Sequence, residues 1–99
     1  MSAKPVTVVA RMKAKPGKEE ELRAALLQLI EPTRAEGGCL NYDLHRAVED
    51  PASFLFHENW RSKEDLDAHL NKPHLKEFLS RAEELLAEQP QITLWERIA

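Results

Sequence analysis

Two histidines, His69 and His74, flank a proline in the stretch AHLNKPH, and a glutamate, Glu58, stands two residues before Trp60 in HENW. Imidazole is the side chain whose ordinary pKa, about 6.5, leaves it able to accept a proton near neutrality. A carboxylate among aromatic residues is the other common general base, because burial raises its pKa toward that range. Aromatic rings such as Tyr42 and Trp60 can border or stack on a flat substrate. The chemistry within reach of this set is therefore proton transfer to or from a small apolar molecule.

Other chemistries are poorly supplied. His69 and His74 lie five apart across a helix break, not at the four-residue spacing of a helical ligand pair. His45 and His57 could be cross-strand neighbours, but three ligands converging on one ion cannot be assembled from the sequence, so no metal is expected. Cys39 is the single cysteine, which excludes a disulfide framework and reads as a small buried hydrophobe. No nucleophile elbow, phosphate-binding loop or dinucleotide fingerprint occurs, and no nucleotide cofactor is expected. A net charge of −3, with no basic run, argues against nucleic acid or an anionic membrane surface as a partner. The opening residues lack a signal-peptide or membrane-span pattern, so the expected location is the cytoplasm.

The elements that must position these residues follow from periodicity. At 99 residues, 42% hydrophobic and 31% charged, with three glycines, the chain is expected to form one folded domain over 1–99, its core spanning about 5–97. PVTVVARMKA predicts a strand that stops at Pro16-Gly17. From Lys18 to Glu36, Leu22, Leu26, Leu29 and Thr33 recur at helical spacing, with a kink or a new turn expected at Pro32 and a stop at Gly37-Gly38. CLNYDLHRA and SFLFHENW predict two strands paired as a hairpin through VEDPA. Ser62 opens a short helix with Asp65 as its capping partner, and Pro73 restarts a second, striped by Leu75, Phe78, Leu79, Ala82 and Leu85. QITLWERI alternates and predicts a closing strand. The order is βαββαβ, an α+β, ferredoxin-like pattern with an antiparallel sheet and helices on one face.

Strand parity then assigns faces. Leu40, Tyr42, Leu44, Phe54, Phe56, Glu58 and Trp60, with Val6, Val8, Ala10, Met12, Ile92, Leu94 and Ile98, should face the helices. The opposite face carries Asn41, Asp43, His45, His57 and Asn59, but also Val9, Leu55 and Trp95, which are a poor solvated surface. Homodimerisation through that face is the expected remedy. Glu58 must find a partner, a proton or a cavity. An apolar cavity between sheet and helices, large enough for a ring of naphthoquinol size, is expected, with His69 facing it and His74 at its mouth.

The stretches EGGCLNYDL, HENWRSKEDLDAHLNKPHLKEF and KPGKEEEL resemble the antibiotic biosynthesis monooxygenase domain family, including bacterial quinol monooxygenases, over about residues 5–97. The resemblance implies a dimeric α+β barrel and a cofactor-independent oxidation of quinol or phenolic, anthrone-like rings by molecular oxygen. It implies that His69 or Glu58 takes the proton and that Tyr42, Trp60 and His74 contact the aromatic substrate. Haem-degrading relatives carry an asparagine on the first strand, which VTVVARM lacks, so haem is not expected. Isomerisation of a small sugar-derived signalling metabolite, or non-catalytic binding of a small molecule by the dimer, are the alternatives that the resemblance leaves open.

Overall fold

A computed structural model describes residues 4–99. The elements run β1 (Val6–Lys13), α1 (Glu19–Leu27), α2 (Ile30–Arg34), β2 (Cys39–Arg46), β3 (Ser53–Trp60), α3 (Lys63–Leu70), α4 (Pro73–Ser80), α5 (Ala82–Leu85) and β4 (Gln91–Trp95). All strand pairs are antiparallel in the order β2-β3-β1-β4. This is the ferredoxin-like α+β fold.

The long helix expected over 18–36 divides, and it does so before Pro32 rather than at it. Pro32 lacks the N–H that would bond the carbonyl of Gln28. The chain closes α1 with a tighter bond from Leu29 N–H to the Leu26 carbonyl and restarts at Ile30. That puts Pro32 in the first turn, where no donor is needed. At Gly38 the backbone takes φ 89°, and a Cβ there would meet Asp65 Cγ at 2.3 Å. Only glycine fits, and the turn carries the residue two places earlier, Glu36, under α3.

Ser62 caps α3 as expected, its Oγ accepting from the Asp65 backbone N–H at 3.2 Å. The Asp65 carboxylate turns to the Ser62 hydroxyl and the Arg61 guanidinium instead of completing a reciprocal box. Pro73 sits in the first turn of α4.

Parity holds through β1 and β3. Val8, Ala10, Met12, Phe54, Phe56, Glu58 and Trp60 are all buried under the helices with Leu22, Leu26, Leu66, Phe78 and Leu85. Leu40 departs from it. A bulge between Cys39 and Asn41 sets Cys39 opposite Trp60, so Cys39 packs on the core and Leu40 is turned out. β4 departs as well, in extent and in burial. The strand ends at Trp95, and Ile92 and Leu94 are 48% and 45% exposed because no helix extends over this edge. Ile98 lies beyond the strand, in solvent, and Leu79 on α4 is exposed too.

On the helix-free face, Thr7, Asn59 and Asn41 form a hydrogen-bonded ladder across three strands. Val9 and Leu55 are half-buried there, and Trp95 is 58% exposed. Among the described residues no helix is long and apolar enough to cross a membrane.

Candidate active site

Strand β3 places Glu58 between Val8 of β1 and Tyr42 of β2. Its carboxylate is buried, and one oxygen accepts from Trp60 Nε1–H at 2.8 Å. No lysine or arginine pairs with it among the described residues. Burial is the largest cause raising its pKa, the negative charge of Glu36 adds, and the Trp60 bond opposes; the result is about 7. Tyr42 stacks on Phe56 with ring centroids 4.2 Å apart. Burial first, then the Glu58 charge, push its hydroxyl up, so it stays protonated. Thr33 Oγ1, wholly buried beside Tyr42, makes no hydrogen bond of normal geometry.

Helix α3 drives His69 inward, where its ring lies 4.6 Å from that of Trp60 and edge-on to Tyr42 at 5.6 Å. Its Nδ1 is 2.8 Å from Glu36 Oε2, and His74 Nε2 reaches the same oxygen at 2.9 Å. A carboxylate only accepts, so both nitrogens carry hydrogens. That tautomer leaves Nε2 of His69 bare. Nε2 has no protein partner, and the ring lines a cavity shared with Glu58 and Tyr42. Burial lowers the His69 pKa against the opposing pull of Glu36, so the ring is neutral at pH 7.

The cavity is walled by Ala10, Phe56, Leu66, Leu75, Phe78 and neighbouring apolar side chains, and Glu58, His69 and Tyr42 carry its ionisable groups. Its volume is about 60 Å³, room for a few waters and not for the two-ring molecule expected from sequence. Leu66, Leu75 and Phe78 from the helices and Tyr42 and Phe56 from the sheet, all buried, take up the rest of the space. The half-exposed Leu70, Leu79 and Ile92 border the hollow, so it opens toward the uncovered β4 edge.

Glu58, His69 and Tyr42 thus meet at one cavity, as sequence predicted. Trp60, wholly buried, does not line it; it backs His69 and holds Glu58. His74 does not stand at its mouth either. Pro73 restarts the helix so that His74 points to Glu36, beside a separate recess lined by Gln28, Glu77 and Arg81. Glu36 was not anticipated. It stands 33 residues from His69 in sequence, and nothing local marks an acid before Gly37-Gly38 as a histidine partner. His45 and His57 do not converge, since His45 faces Leu55 and His57 faces Asp43. Cys39 is half-buried, and burial, then the Glu36 and Glu58 charges, push its thiol up to about 11, which makes it unreactive.

The profile of the antibiotic biosynthesis monooxygenase family matches residues 5–81. A Mycobacterium tuberculosis protein, Rv0793, named as a candidate monooxygenase, is 39% identical over 90 residues, covering 91% of this chain and 88% of that protein. An uncharacterized Synechocystis protein, sll1783, is 37% identical over 91 residues; the match covers 92% of this chain but 62% of that protein's length. The crystal structure of PA3566 from Pseudomonas aeruginosa superposes with a TM-score of 0.93 at 37% identity, covering 100% of this chain and 99% of that one.

Proposed function

We propose that this chain, which belongs to the antibiotic biosynthesis monooxygenase family, oxidises a quinol or phenolic, anthrone-like ring with molecular oxygen and no cofactor. One observation carries the reading: His69 is held by Glu36 through Nδ1, its Nε2 has no protein partner, and its ring lines an apolar hollow shared with Glu58. A phenolic ring deprotonated there becomes an electron-rich anion that can reduce oxygen itself. The protein supplies the proton acceptor, orientation and exclusion of water. In the anthrone case a ring methylene becomes a carbonyl; one oxygen atom stays in the product and the other leaves as water. The ring seats across the mouth of the cavity, against Leu79 and Ile92, with its acidic edge toward His69.

The test is oxygen uptake with a reduced naphthoquinone or an anthrone, with and without chelator. Saturable, chelator-resistant consumption above the spontaneous rate is expected. Product formed equally well without oxygen would replace this reading with an isomerase, a reaction that the same two acid–base groups could serve by shuttling a proton. No turnover at all, with the compound bound, would leave a binding module.

The working unit in this proposal is a homodimer joined through the helix-free face. The exposure of Trp95 beside half-buried Val9 and Leu55 supports it, because a second copy would cover an apolar face that no helix covers. Trp95→Glu should shift sedimentation at micromolar concentration from dimer to monomer, since an unpaired buried charge costs several kcal/mol. A monomeric wild-type protein would sink the dimer.

A further inference from the structure

We infer that Glu36, His69 and His74 form a site for a divalent cation of the zinc or ferrous type, behind the cavity. Glu36 Oε2 lies 2.8 Å from His69 Nδ1 and 2.9 Å from His74 Nε2. Ligand atoms of the three residues all stand within 4.8 Å of one another, in the one such cluster among the described residues. Atoms bound to a common ion at about 2.0–2.1 Å are separated by roughly 3 Å, so the carboxylate–imidazole spacings already suit a cation. The three come from separate elements: Glu36 follows α2, His69 lies in α3 and His74 in α4.

Charge points the same way. The Glu36 side chain is 5% exposed and pairs with no lysine or arginine among the described residues. Its hydrogen-bond partners are two imidazoles and no fixed cationic side chain, a place that a divalent ion could take. Access exists as well. His74 is 21% exposed, beside a recess of about 110 Å³ lined by Gln28, Glu77 and Arg81, where waters could complete the coordination. Two imidazoles and one carboxylate select zinc, iron, cobalt or nickel over magnesium or calcium.

The ion would bind Nδ1 of His69 on its Glu36 side, and neither Glu36 nor His74 lines the cavity, so it would not touch a ring seated there. It acts through the imidazole. Coordination at Nδ1 moves the ring proton to Nε2 and turns an acceptor into a donor. A bound cation therefore silences His69 as a base. Binding stands independently of the reaction; this inhibition rests on the oxygenase reading.

Chelator-treated protein titrated with zinc sulfate by calorimetry should bind one ion per chain. His74→Ala and Glu36→Gln should weaken it by about 100-fold or more, since even outer-sphere partners of metal ligands are worth 10–100-fold. His45→Ala, which removes an exposed imidazole outside the cluster, should bind like wild type. Cobalt should give visible bands that His74→Ala abolishes. No saturable zinc binding by wild type, or equal affinity in His74→Ala, would overturn the site; His74 lies at the rim, so its variant decides even if Glu36→Gln does not fold. Zinc that binds but leaves oxygen uptake unchanged would keep the site and remove His69 as the base.

Discussion

Turnover of a quinol by the His69→Ala variant should fall by roughly 10²–10⁴-fold, the usual worth of a positioned general base. The expectation follows from three contacts. Glu36 fixes the proton on Nδ1, Trp60 and Tyr42 hold the ring in place, and the ring lines the cavity with its Nε2 unpaired. Removing the ring also opens space in the core, so circular dichroism must first establish that the variant is folded. Added imidazole then separates chemistry from packing: it should restore part of the lost rate if a proton acceptor is what was removed. Glu36→Gln keeps the ring but replaces the charged acceptor that fixes its tautomer, and should fall between wild type and His69→Ala. Full oxygen uptake by both His69→Ala and Glu58→Gln would remove both residues from the proton transfer.

Much of this arrangement is legible along the chain, and the parts that are not share a cause. Alternation in β1 and β3 depends on nearest neighbours, so the burial of Phe54, Phe56, Glu58 and Trp60 could be read directly. The position of Leu40 depends on a bulge, one extra residue that no local pattern announces. Ile92 and Leu94 alternate correctly, but alternation names a face without saying whether a helix extends far enough to cover it. Pro32 was recognised as a break, yet its placement was settled by where a missing donor does least harm. Glu36 is the clearest case. Its role exists only because Gly38 turns the chain beneath α3, bringing together residues 33 and 38 positions apart. Short-range periodicity finds elements; a site assembled from three of them appears only when their packing is known.

Glu58→Gln should stabilise the protein at pH 8 by on the order of 3 kcal/mol and leave it unchanged near pH 4. In the unfolded chain this carboxyl has its ordinary pKa of 4.5, whereas in the folded protein burial raises it to about 7. Between those values the native state holds a proton that the unfolded state has released. Stability from this group is therefore complete below pH 4.5 and is lost as pH rises through 7. A difference of about 2.5 units at 1.36 kcal/mol each gives the magnitude. Glutamine keeps an oxygen to accept from Trp60 Nε1–H and never ionises, so only the charge is removed. If the same carboxylate is the base, kcat/KM in wild type should rise with pH about a midpoint near 7, and the variant should lose both the rise and the activity. A buried carboxylate that destabilises its fold at working pH while lining a cavity is a candidate for chemistry. Chemical denaturation of both proteins from pH 4 to 8 measures the effect, and parallel stability curves across that range would show that Glu58 carries no such strain.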